Sequence, residues 1–273
     1  MASHDTITVD IPYVKRNDDG QIPNHAQMFS HDAEFLDLQP AEVRNVRATD
    51  QKFSIPTTGF QYAKLDAPPE IDYLDDEQVR KTYFPMLEKL LKEELGASEV
   101  KAFHHVVRNT PYEDGMPYTR KHRCPARRPH VDVTGAFAPI LMSWDCPDMH
   151  ADVHVRNPGK RWQMVNAWRP LGTVRRNPVT VASTASMAWE DYLVVPQPEV
   201  GPGVEGYWLQ SPRDERRRHE WWYMAEQTPE EVLLFLQHDS AGEQVVAHTS
   251  FSLPGPVPPE PRESIEVRLF VVY

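Results

Sequence analysis

The sequence predicts a mainly β protein, a β-sandwich or jelly roll, with a helix on its N-terminal side. Three observations lead there. Prolines number 26 in 273 residues and are spread along the chain. Proline breaks helix interiors and central strands, which favours short strands joined by turns over a helical bundle. After Gly96 the chain becomes a series of short segments rich in β-branched and aromatic residues: Val100–Arg108, Arg161–Trp168, Val179–Ala182, Tyr192–Val195, Glu220–Met224, Val232–Leu236, Val245–Phe251 and Ile265–Val272. Turn signals separate them, at Asn157-Pro158-Gly159, Asn177-Pro178, Gly201-Pro202-Gly203 and Gly255-Pro256. Strands of this length in one block are the pattern of a closed or two-layered β fold.

The N-terminal part reads differently. Residues 1–50 form an irregular arm with one strand, Thr6–Val14, and turns at Asp18-Asp19-Gly20 and Ile22-Pro23-Asn24. Residues 52–63 suggest a short strand on each side of Pro56. A helix is expected from Asp75 to Leu95. Asp75 and Asp76 suit its exposed N–H groups, Val79, Tyr83, Leu87, Leu90, Leu91 and Leu95 fall on one stripe, and Gly96 stops it. Pro85 should kink or split this helix. The whole chain reads as a single domain, 1–273, in which 1–98 is an arm with a supporting helix and 99–273 is the jelly-roll core. Pro254–Pro261 is a stiff loop between two strands.

A formal net charge of -11 argues against nucleic acid or an anionic membrane surface as main partner. Two cysteines, Cys124 and Cys146, make no disulfide framework and fit a reducing cytoplasm. The N-terminus lacks the basic and apolar regions of a secretory signal. No run approaches the roughly 20 apolar residues of a membrane-spanning helix.

One motif carries chemistry. Arg128–Val133 reads RPHVDV, and His130 and Asp132 stand two apart. On a strand such residues share a side, so an imidazole and a carboxylate converge. A further His from a later strand would complete a two-His-one-carboxylate triad, which leaves three metal positions open for co-substrate and dioxygen. A second such pair occurs at His150-Ala151-Asp152. The C-terminal block favours the first. There an apolar strand and a turn lead to a strand with His248, and Arg262 and Ser264 then open the last strand. A guanidinium grips a carboxylate through paired hydrogen bonds, and a hydroxyl on the same face adds another.

This order resembles the double-stranded β-helix (the cupin-like jelly roll) of 2-oxoglutarate oxygenases. More closely it is similar to the fungal hydroxylase/desaturase family, which includes the gibberellin desaturase and the meroterpenoid endoperoxide-forming oxygenase and is labelled CmcJ-like in part. The match rests on Pro129–Asp132, Val165–Leu171, Trp222–Thr228, Glu231–Phe235, Asp239-Ser240, His248–Phe251 and Pro261–Arg268. The resemblance implies Fe(II) on His130, Asp132 and His248, with Arg262 as anchor of 2-oxoglutarate. It implies Thr134, Asn166, Arg169 and Ser264 as co-substrate contacts or pocket lining, and no catalytic residue beyond the metal centre. It further implies dioxygen and a small apolar substrate, a terpenoid or polyketide, and hydroxylation, desaturation, rearrangement or oxygen insertion at a C–H bond. His219, followed by Trp221-Trp222-Tyr223, remains an alternative third ligand. The charged run at 213–218 is a solvated loop or a grip for an acidic substrate. A homodimer through the N-terminal arm is compatible with the sequence. A methyltransferase is not, because there is no glycine-rich strand–turn–helix for a methyl donor. Two other classes compete, a cupin-like binding protein and a metal-independent isomerase or cyclase. Each should have lost Arg262 or a ligand, and this chain keeps all of them.

Overall fold

A computed structural model describes residues 5–16, 20–21, 35–66, 69–111, 123–198, 201, 203–212, 214, 218–256 and 258–273. Its strands are β1 (Thr6–Val14), β2 (Leu36–Asn45), β3 (Phe60–Lys64), β4 (Glu99–Arg108), β5 (His130–Val131), β6 (Trp162–Pro170), β7 (Val179–Ala182), β8 (Tyr192–Pro196), β9 (Glu205–Leu209), β10 (Trp221–Tyr223), β11 (Glu231–Asp239), β12 (His248–Ser250) and β13 (Ser264–Val272). They form two sheets. One has eight strands in the order β1-β2-β10-β7-β12-β5-β9-β8, the other five in the order β3-β11-β6-β13-β4. The result is the expected mainly β jelly roll with helices packed on its N-terminal side.

The central strands β6, β11 and β13 of the five-stranded sheet are buried on both faces, which explains why β11 and β13 read as almost continuous apolar runs. On β13, Ile265, Val267, Leu269 and Val271 join the same buried cluster as Val79, Tyr83, Leu87, Leu90 and Leu91 of the N-terminal helix. Alternation along the strand turns Ser264, Glu266 and Arg268 the other way. The polar residues of β13 are therefore aimed at the space between the sheets by the same pattern that packs its apolar residues under the helix.

The helix begins where the sequence places it. The Asp75 side chain accepts from the N–H groups of Glu77 and Gln78, and Gly96 closes the C-terminus with a φ of 65°. Pro85 does not split it. The turn Val79–Tyr83 widens so that the Phe84 N–H reaches back to the Val79 carbonyl, and Phe84–Leu95 then runs on as regular helix. The wider turn removes the clash a proline ring would make with the preceding turn.

Several expectations need correction. Ile55–Thr58 is a helical turn with Pro56 near its start, not a strand, and only the segment after it forms β3. Strands β2 and β9 were not foreseen. Strand β2 is mostly polar and contains Pro40, and β9 is a short segment close behind a Gly-Pro-Gly turn. The helices Ala138–Asp145 and Pro147–Ala151 were also missed. Strands β1, β2 and β3 complete both sheets, so the segment before residue 98 is woven into the fold. The turns expected at Asp18-Asp19-Gly20 and Ile22-Pro23-Asn24, and most of 213–218, fall outside the described residues. No described helix is long and apolar enough to cross a membrane.

Leu91 is fully buried between helix and sheet. Leu91→Ala is expected to cost about 2–5 kcal/mol, measured by urea denaturation, because a close-packed interface cannot collapse around the lost volume.

Candidate metal centre

The centre is built where β5 is inserted between β9 and β12 in the eight-stranded sheet. His130 on β5 pairs directly with His248 on β12, and their ring centroids lie 4.2 Å apart. Asp132 follows two residues after His130. One ligand atom from each of His130, Asp132 and His248 lies within 4.8 Å of the others. Neighbours hold this strand firmly. The Asp132 N–H donates to Oε1 of Gln237 at 2.8 Å, and β9 packs so closely that a Cβ on Gly206 would sit 2.8 Å from the Val131 carbonyl oxygen.

Each ligand is in the state a metal requires. The Nδ1 of His130 lies 2.8 Å from the Arg128 carbonyl oxygen. A carbonyl only accepts, so Nδ1 carries the proton and Nε2 keeps its lone pair. That Nε2 is 3.6 Å from Oδ1 of Asp132. His248 is buried against the Phe235 ring at 4.7 Å, and its Nδ1 has no hydrogen-bond partner. Burial, followed by the charge of His130, holds its pKa well below the ordinary value, so it stays neutral. Burial alone would raise the pKa of Asp132, but the Arg268 guanidinium outweighs it and holds the carboxyl well below the usual range. Two imidazoles and one carboxylate that leave positions open suit Fe(II).

The other sheet supplies the polar wall. Arg262 stands over the Trp168 ring at 5.2 Å, and all three of its guanidinium nitrogens are buried without a hydrogen-bond partner among the described residues. Burial, then the nearby charge of Arg108, pushes its pKa down to about 9. Ser264 Oγ is likewise buried and unpartnered. Buried polar groups normally find partners, and an unpaired buried guanidinium is expensive. This cluster fits the far carboxylate of a dicarboxylic acid such as 2-oxoglutarate. Asn166 reaches the centre itself, with Nδ2 donating to Oδ2 of Asp132 at 2.7 Å.

Other candidates are engaged elsewhere. Arg169 donates to the Pro229 carbonyl and, at 2.7 Å, to the Tyr73 hydroxyl, and takes no part in the cluster. Thr134 closes the turn before the helix Ala138–Asp145, accepting from the Phe137 N–H at 3.1 Å. Both ring nitrogens of His219 are occupied, by the Tyr13 hydroxyl at 2.9 Å and the Asp191 carboxylate at 3.1 Å. His150 and Asp152 lie on helical turns, where residues two apart diverge, and Asp152 is bound to Lys160 at 3.0 Å. Sequence reasoning missed Arg268, Glu266 and Gln237. A signal existed for the first two, since polar residues at every second position of the otherwise apolar β13 mark a polar lining.

Two outcomes follow. Arg262→Met should raise the melting temperature of the ligand-free protein, by removing an unpaired buried charge, and should abolish 2-oxoglutarate binding by calorimetry. Acid should destabilise the fold through its buried histidines. Burial lowers the pKa of His104 to about 3 and of His238 to about 4. Above the ordinary value near 6.5 neither state binds the proton. Below it the unfolded chain takes up protons that the folded state refuses, so stability falls as pH drops from about 6.5 towards 4. His238 stacks on Trp162 at 4.4 Å. His238→Phe keeps that stack and should flatten the slope of melting temperature against pH.

Comparison with known proteins agrees with this geometry. The profile of the family described as "Oxidoreductase/YMDC permease-like domain" matches residues 11–272. The alpha-ketoglutarate-dependent dioxygenase phiK of a fungal species is 32% identical, with 96% of this chain and 95% of that protein covered. The alpha-ketoglutarate-dependent dioxygenase tstK of Talaromyces stipitatus is 28% identical, with 100% and 99% covered. Alpha-ketoglutarate is 2-oxoglutarate by another name. The solved structure of the iron and alpha-ketoglutarate-dependent endoperoxidase NvfI shares the fold at a TM-score of 0.77 and 23% identity, with 99% of each chain covered. The chain belongs to the fungal family of Fe(II)- and 2-oxoglutarate-dependent oxygenases that contains the hydroxylase/desaturases.

Proposed function

We propose that His130, Asp132 and His248 hold the Fe(II) of this oxygenase and that Arg262 and Ser264 grip the far carboxylate of 2-oxoglutarate. The observation that carries the reading is the pairing of a His–His–carboxylate cluster with a buried guanidinium that has no hydrogen-bond partner among the described residues. When bound, iron and 2-oxoglutarate use dioxygen to oxidise a C–H bond of the substrate, with succinate and CO2 as co-products.

The protein's own residues bind, orient and exclude water. The Arg128 carbonyl fixes the His130 tautomer, and Phe235 covers one side of His248. Trp168 lies under Arg262, so a carboxylate there is held in a dry, low-dielectric site where a charge-assisted pair is strong. With the co-substrate anchored at one end, its other end has one direction in which to meet the metal. That fixes where the remaining open position faces.

The substrate in this reading is an apolar secondary metabolite, a terpenoid or polyketide. The chain's aromatic content and the activities named in its relatives support this, and the outcome at carbon depends on which C–H bond is presented. Free Cys124 and Cys146 support a cytoplasmic setting. The strands before residue 98 that complete both sheets support one domain over 1–273. The half-exposed Leu38 of β2 offers an apolar contact for a homodimer through the N-terminal arm.

The test is succinate release from 2-oxoglutarate in air with added Fe(II), read by mass spectrometry. The wild type should form succinate, His130→Ala and His248→Ala should form almost none, and His219→Ala should keep most of the activity. Equal succinate from wild type and His248→Ala would exclude this ligand set.

A further inference from the structure

The Asp132 carboxylate spans the space between the two sheets, and its two oxygens are not equivalent. Oδ2 receives two donors, Nδ2 of Asn166 at 2.7 Å and Nε of Arg268 at 3.1 Å. Oδ1 is ion-paired with Nη2 of Arg268, 3.0 Å away, and is the oxygen that faces Nε2 of His130, at 3.6 Å. A carboxylate offers about two lone-pair sites per oxygen. Both sites of Oδ2 are taken, and one on Oδ1 remains on the side of the imidazoles. The two donors act as a unit, because Arg268 on β13 and Asn166 on β6 are direct cross-strand partners. Asn166 is tied further by a bond from its Nδ2 to Glu266 at 3.2 Å.

Resting on the ligand set proposed above, we propose that Arg268 and Asn166 are positioning residues that hold Asp132 so that only Oδ1 is offered to the metal. The consequence is a count of coordination positions. A carboxylate that chelates through both oxygens fills one more position than a carboxylate that binds through one. In a two-His-one-carboxylate site, that extra position is one that 2-oxoglutarate or dioxygen requires. The planar fork of arginine occupies both oxygens in one fixed geometry, which a lysine cannot reproduce. Arg268 thus protects the open positions by restraining the ligand, without touching substrate or co-substrate itself. Asn166, expected from the sequence to contact co-substrate, acts here on the metal ligand.

The experiment uses the full chain with Co(II) in place of Fe(II), since the visible bands of Co(II) report its coordination number. The probes are the Co(II) spectrum, the Co(II) affinity and the affinity of the Co(II) protein for 2-oxoglutarate. Arg268→Lys keeps the charge but not the fork, and Asn166→Ala removes one Oδ2 donor. Both should shift the Co(II) bands towards higher coordination before 2-oxoglutarate is added. Both should also weaken 2-oxoglutarate binding by about 10–100-fold, the usual effect of disturbing the support of a metal ligand. A purely structural role would lower the melting temperature and leave the bands of the folded fraction unchanged, and that result would overturn the proposal. Wild-type bands and wild-type 2-oxoglutarate affinity in both variants would overturn it too. A His248→Ala protein with the same Co(II) spectrum as wild type would instead overturn the underlying ligand set, so the two failures are distinguishable.

Discussion

The contact between Asp132 and the pair Arg268–Asn166 is the constraint on which the centre depends. It joins the eight-stranded sheet, which carries His130 and His248 with Asp132 just beyond β5, to the five-stranded sheet, which carries Asn166, Ser264 and Arg268 with Arg262 just before β13. A buried carboxylate without a partner would take up a proton. Paired with Arg268 it stays ionised, and an ionised carboxylate is the form that binds metal. The same contact sets the carboxylate's orientation and ties the sheet that holds the candidate metal ligands to the sheet beside the buried Arg262.

Around this link the fold accepts costs that a merely stable protein would avoid. Arg262 is buried without a hydrogen-bond partner among the described residues, the half-buried His104 and the buried His248 are held neutral, and Glu266 lies close enough to Asp132 that burial and like charge raise its pKa. The burial of Leu87, Leu91, Val267, Leu269 and Val271 between helix and sheet offsets them. The two roles are divided along one strand. Ile265, Val267, Leu269 and Val271 of β13 pack under the helix, and Ser264, Glu266 and Arg268 turn towards the centre.

Much of this was legible in the sequence because it follows from period and spacing. His130 and Asp132 stand two apart, and such residues share a face only on a strand. The second pair, His150 and Asp152, failed that condition because Pro147–Ala151 is helical. Arg262 and Ser264 were legible for the same reason. Arg169 was not excluded by the sequence, because which face of β6 looks inward is set by the sheet: Asn166 points to Asp132, whereas Arg169 bonds Tyr73 on the other side. His219 stays an alternative to His248 on sequence alone, and it is excluded only by its partners Tyr13 and Asp191, both distant in sequence. Long-range pairing also hid β2, a mostly polar strand that becomes one through its neighbours β1 and β10. The π turn before Pro85 escaped because a proline in a helix can be absorbed as well as break it.

The most direct measurement is anomalous diffraction at the iron edge from crystals grown without oxygen and soaked in Fe(II) and 2-oxoglutarate. The account predicts one strong peak bounded by His130 Nε2, one oxygen of Asp132 and His248. It also predicts electron density for the far carboxylate of 2-oxoglutarate on Arg262. Iron bound at His219 or at His150 and Asp152, or 2-oxoglutarate lying away from Arg262, would contradict it.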